Sequence, residues 1–137
     1  MKKLLLTFIF PFSIFSCTNS FLEKDVVGVY TPVEYKNCYD TIQLLEGGVY
    51  FRKVYDTNKK ILLNIKSKYE LRNEGSQIFF HSYFLNLDRD LVKFPELVND
   101  TLGVALLNLE KNKGKIGFCT GYYSASLPNQ NCFQKQK

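Results

Sequence analysis

A chain of 137 residues has room for one domain and little more. Its 45% apolar and 23% charged residues are a globular composition, which excludes wholesale disorder. The formal charge of +5 leans on an N-terminal signal, and a single His excludes a histidine metal cluster or proton relay.

Residues 1–16 read as a secretory signal. Lys2 and Lys3 supply its positive start, and Leu4 to Phe15 supply a short apolar stretch broken by Pro11 and Ser13. That stretch falls short of the roughly 20 residues a membrane-spanning helix needs. It ends in Ile14-Phe15-Ser16-Cys17, which resembles the bacterial lipobox. The resemblance implies that Cys17 carries a diacylglycerol thioether, becomes the first residue after cleavage and is then N-acylated. Several acyl chains hold a protein stably on a membrane where one does not. Thr18 in place of an acidic residue points to the outer membrane. Residues 17–25 then form the lipidated cysteine and its tether, and 26–137 a single β domain.

Losing Lys2 and Lys3 leaves 16 of the 18 basic residues against 13 acidic ones, a net charge of about +3. The basic residues are scattered except at Lys111, Lys113 and Lys115 and at Lys135 and Lys137. These read as a solvated turn and a solvated tail, so nucleic acid is not an expected partner.

From Val26 the chain alternates short β segments with turns. Val26 to Tyr30 opens, limited by Pro32. Tyr39 to Leu45 sets Asp40, Thr41 and Gln43 against Ile42 and Leu44, and Glu46-Gly47-Gly48 makes a tight turn into Val49 to Tyr55. Ile61 to Ile65 and Tyr69 to Leu71 continue, Asn73-Glu74-Gly75 turns, and Gln77 to Phe84 is the most aromatic strand. Residues 86–100 read as a long loop with room for one helical turn. Thr101 to Leu109 and Lys115 to Thr120 return as strands, with a further short strand at Tyr122 to Ser124 before a Pro128-containing tail. The expected fold is therefore mostly β: a small antiparallel barrel or a sandwich of about eight strands, with little helix.

Three segments in particular resemble bacterial lipocalin-like lipoproteins: Val26-Val27-Gly28-Val29-Tyr30, Asp40 to Leu44 running into Gly48-Val49-Tyr50, and Lys68 to Leu71 leading to Ile78-Phe79-Phe80. The resemblance covers residues 26–84, with Tyr30 where lipocalins usually show Trp. It implies a small barrel and leaves the ligand open.

With Cys17 lipidated, Cys38, Cys119 and Cys132 remain in an oxidising compartment. Cys119–Cys132 closes the shortest loop, worth about 3 kcal/mol in a chain-entropy model, while Cys38 paired with either partner closes a longer one. Sequence leaves the pairing open. No catalytic, cofactor or metal constellation can be assembled: His81 is alone among Phe79, Phe80, Tyr83 and Phe84, and the acids of 86–100 lack calcium-loop spacing. The aromatics give the sharpest binding hypothesis. Tyr50, Tyr69, Phe79 and Tyr83 are candidates for the lining of a pocket in a small barrel.

Function is thus expected to be non-enzymatic. One reading is a lipid-anchored barrel that holds a small apolar ligand. The other is a protein-interaction module of the envelope, serving as an inhibitor, immunity or assembly factor. The apolar residues Leu91, Val92, Phe94 and Leu97 separate the two, since turned inward they lid a cavity and turned outward they form a docking patch.

Overall fold

The computed structural model describes residues 20–33, 38–84, 90–94, 96, 103–120 and 132–137. Period-two alternation organises it. In β2 (Cys38–Leu45) the side chains of Cys38, Asp40, Ile42 and Leu44 are buried, while those of Tyr39 and Gln43 face solvent. The parity corrects one expectation: Asp40 stands on the inner face with Ile42 and Leu44, not on the polar face with Thr41 and Gln43. In β3 (Val49–Asp56) the same rule buries Tyr50, Arg52 and Val54.

The remaining strands are β1 (Gly28–Pro32), β4 (Ile61–Arg72), β5 (Gln77–Tyr83), β6 (Gly103–Asn112), β7 (Lys115–Cys119) and β8 (Cys132–Lys135). All are antiparallel to their sequence neighbours, and β8 returns to β1, so the sheet closes into an eight-stranded barrel rather than a sandwich. Closure leaves no long edge for aggregation. Pro32 falls on the last residue of β1, where a missing N–H costs the ladder least.

Two strands differ from expectation for local reasons. The two segments expected over 61–71 are one strand, β4, whose first part pairs with β3 and whose last part pairs with β5. Lys66 and Lys68, which look like a break in sequence, are simply its solvent face. β8 lies in what reads as a tail, because four residues are too few to show alternation. The expected strand at 122–124 lies outside the described residues.

Antiparallel order fixes the two ends of the barrel. One end gathers the β2–β3, β4–β5 and β6–β7 turns with α1 (Glu23–Val26). The other gathers α2 (Asp90–Lys93), the start of β2 and the junction of β7 with β8.

At the first end, residues read as tether, and Val26 read as the start of a strand, are packed. Phe21 and Val26 are buried, and Phe21 N–H donates to the Gly75 carbonyl at 3.3 Å. The Glu23 carboxylate accepts from the N–H groups of Gly47 (2.8 Å) and Gly48 (3.2 Å). Two glycines make this closure possible. Gly48 has φ +71° and a Cβ there would sit 2.8 Å from the Tyr69 carbonyl oxygen. Gly75 has φ +84° and a Cβ would overlap the Phe21 carbonyl oxygen. Both conditions favour glycine alone.

At the second end, Cys119 and Cys132 are register partners of β7 and β8 and form the disulfide. Cys38 is buried and takes no part in it.

Candidate functional site

A pocket inside a barrel needs interior positions that side chains leave open, so the inner face decides what this barrel can hold. Phe80 is its centre. The ring lies 4.9 Å from Tyr50, 5.0 Å from Tyr83 and 5.4 Å from Phe118, centroid to centroid. Phe118 in turn meets Tyr30 at 5.3 Å and Phe133 at 5.6 Å. Aliphatic rows of Ile42, Leu44 and Ile78, each fully buried, complete the packing.

One local irregularity decides which aromatics enter. The β5–β6 register shifts between Phe80 and Tyr83, with Ser82 at φ +55°. Strict alternation would put Phe79 and Tyr83 on one face. The bulge changes the parity, so Phe80 and Tyr83 both point inward. It also turns the carbonyls of His81 and Ser82 toward Tyr50, whose hydroxyl contacts each at 3.0 Å.

Of the four residues proposed for a pocket, Tyr50 and Tyr83 therefore meet around Phe80. Tyr69 is also buried, but its hydroxyl donates to the Leu45 carbonyl at 2.9 Å, beside the β2–β3 turn at the α1 end. Phe79 stands on the outer surface, with the Arg72 guanidinium 3.8 Å above its ring and His81 edge-on at 4.8 Å. There His81 and Arg72 both bond the Glu70 carboxylate, at 3.0 and 3.1 Å. The His81 and Arg72 bonds hold the Glu70 carboxyl below its ordinary range.

The interior also holds a charge pair that the sequence reading missed. Arg52 grips Asp40 with two bonds, Nη2 to Oδ2 at 2.7 Å and Nε to Oδ1 at 3.1 Å, and both residues are at most 3% exposed. Nη1 donates to the Phe84 carbonyl. The guanidinium carbon lies 4.9 Å from the Tyr83 centroid and 5.4 Å from that of Phe133. The signal was present in the sequence: Tyr50, Arg52 and Val54 share one parity, as do Asp40, Ile42 and Leu44. Charges on two adjacent inward rows must find each other.

Burial pushes the tyrosine hydroxyls up. Tyr50 and Tyr69 rise to about 12, and Tyr30 and Tyr83 rise as well, because a phenolate inside the barrel loses its solvation. An unfolded chain gives up phenolic protons near pH 10, while the folded barrel still holds them. The folded state therefore loses stability as pH rises from about 10 to about 12. In an absorbance titration, part of the phenolate signal is expected to appear only together with loss of near-ultraviolet dichroism. Complete titration of every tyrosine in an intact fold would contradict this burial.

The segment at 86–100 divides. Leu91 is fully buried at the α2 end of the barrel, while Val92 and Phe94 are exposed. Leu97 lies outside the described residues. Further exposed apolar groups stand on the outer wall, with Val104 at 69% and Tyr39 at 64%. A groove of about 340 Å³ there is lined by Thr41, Gln43, Phe51, Lys53 and Tyr55. Among the described residues no three His, Cys, Asp or Glu side chains gather as a metal site. Cys17 lies outside the described residues. Comparison with protein-family models, with curated proteins and with solved structures finds no significant match to this chain.

Proposed function

We propose that this chain is a non-enzymatic barrel of the bacterial envelope, lipid-anchored at the outer membrane, that works by binding a protein partner on its outer wall. The lipid anchor rests on the lipobox-like Ile14-Phe15-Ser16-Cys17 behind an apolar signal. Kinship with lipocalin-like lipoproteins belongs to the same reading and rests on the motifs of residues 26–84 together with the closed barrel.

The observation that carries the choice of partner is the filled interior. Phe80, Phe118, Phe133, Tyr50 and the Arg52–Asp40 pair occupy the space where a small barrel otherwise keeps its ligand. Binding is then left to the outside, where Val104 and Leu106 stand exposed on β6 and Val92 and Phe94 are exposed in the segment before it, while Tyr39 lies across the barrel on β2.

A second reading, a small apolar ligand held inside, has one observation in its favour. The Tyr83 hydroxyl is buried and has no hydrogen-bond partner among the described residues. Buried hydroxyls are normally satisfied, so the polar end of a ligand would suit it.

Mass spectrometry of the protein isolated from its own envelope tests both parts. The expected denatured mass is that of a chain starting at Cys17 with diacylglycerol and one further acyl chain. The expected native mass carries no adduct. A chain without lipid overturns the anchor. An adduct of a few hundred daltons that is lost on denaturation overturns the filled interior and favours the small ligand.

A further inference from the structure

Two lysine groups that read in sequence as a solvated turn and a solvated tail come together in the fold. β6, β7 and β8 are neighbours, so the β6–β7 turn and the end of β8 lie side by side at the α1 end of the barrel. Between them and α1 runs a groove of about 640 Å³, whose lining includes Lys24, Lys111, Lys115, Lys135 and Lys137. Asp25 is the acidic side chain in that lining. Its carboxylate accepts from the Leu22 N–H at 3.0 Å, and its carbonyl accepts from Lys135 Nζ at 2.7 Å. Lys113 stands in the adjoining groove beside Glu110. Glu23 is turned away, with its carboxylate on the β2–β3 turn.

The chain itself says what this groove faces. Ser20, at the start of the described chain, lines the groove, and Cys17 is three residues upstream. Three residues reach at most about 10 Å, which is also about one Debye length at moderate salt. A barrel held by a lipid on Cys17 therefore keeps this end within electrostatic range of the headgroups.

We infer that the lysine groove is the face with which the barrel docks on anionic lipid phosphates, an inference that rests on the proposed lipid anchor for its orientation. The barrel then stands end-on, with the groove against the membrane and the α2 end and disulfide presented outward. Juxtamembrane lysines attract anionic headgroups additively, at roughly fivefold in partition for each one.

The test uses the full chain and two kinds of vesicle, phosphatidylcholine alone and phosphatidylcholine mixed with phosphatidylglycerol. The readout is the ratio of the two partition coefficients. An acyl anchor or apolar signal contributes to both and cancels. Wild type is expected to prefer the anionic vesicles, with a ratio that falls as salt is raised. The triple variant Lys111→Gln, Lys115→Gln, Lys137→Gln is expected to lower the ratio by about a hundredfold. The triple variant Lys53→Gln, Lys59→Gln, Lys66→Gln removes the same charge from the β2–β4 wall and is expected to change it only a few-fold.

Equal losses in the two triples would mean net charge alone acts, and would overturn the groove. So would a wild-type ratio near one at low salt, since anionic headgroups would then add nothing to binding. The anchor is read separately by mass. A lost preference on a lipidated chain removes the groove and keeps the anchor. A retained preference on a chain with bare Cys17 keeps the groove and removes the anchor.

Discussion

Replacing Arg52 by Met is expected to lower stability by about 3–5 kcal/mol, because it strands the Asp40 carboxylate inside the barrel. At roughly 4 °C per kcal/mol for a domain near this size, the midpoint of thermal unfolding falls by about 12 °C or more. The cost comes from what is left behind rather than from the bond itself. Asp40 is 3% exposed, and water cannot take over the two bonds that Arg52 supplies. The double variant Arg52→Met, Asp40→Leu separates these causes. With both charges gone, apolar side chains of similar size fill the same rows, and most of the lost stability is expected to return. Thermal unfolding of the two variants beside wild type decides it. A double variant as unstable as the single would show that the guanidinium matters through its packing on Tyr83 and Phe133, at 4.9 and 5.4 Å, more than through its charge.

Why such a pair sits in a barrel this small follows from its position. Arg52 also holds the Phe84 carbonyl, at the point where β5 ends and the chain leaves the sheet. A backbone carbonyl at a strand end has no ladder partner, and Arg52 supplies one from the inside. The ion pair thus closes the α2 end from within, as Glu23 on the glycine turn closes the α1 end from outside.

The strand pattern was legible because alternation and glycine turns are local signals. Gly47 and Gly48 adopt φ of +79° and +71°, as the tight turn after Leu45 requires. What could not be read depends on non-local events. Val26 alternates well enough to start a strand, yet it ends α1, because its burial under the barrel end and the Tyr30 hydroxyl on its carbonyl at 2.7 Å outweigh propensity. β8 is fixed by pairing with both β1 and β7, not by its own four residues. The lysines of the groove are spread over α1, three strands and the residues after β8, so only the barrel's order brings them together. The place of Tyr83 turned on one bulge. Nothing in Phe79-Phe80-His81-Ser82-Tyr83 announces that Ser82 adopts φ +55°, and that single residue brings Tyr83 inside beside Phe80.

Phe79 and Phe80, neighbours on opposite faces of β5, are a matched pair of probes. Phe80→Ala is expected to cost about 3–5 kcal/mol, since a fully buried ring packed on Tyr50, Tyr83 and Phe118 is removed and its neighbours can only partly close the space. Phe79→Ala removes a half-buried ring whose main partner is the Arg72 guanidinium, and is expected to cost no more than about 1 kcal/mol. Denaturant midpoints measure both. Comparable losses would place the two rings in equivalent surroundings and contradict the inward placement of Phe80. The larger variant also bears on what the barrel is for. A space lined by the three remaining aromatic rings is apolar, and such engineered cavities stay dry and accept benzene-sized molecules. Phe80→Ala is therefore expected to regain stability when benzene is added, while wild type gains none, because its own phenyl ring already fills that place. Equal stabilisation of wild type would mean that the native interior has room for an apolar guest, and would move the binding function from the outer wall to the inside.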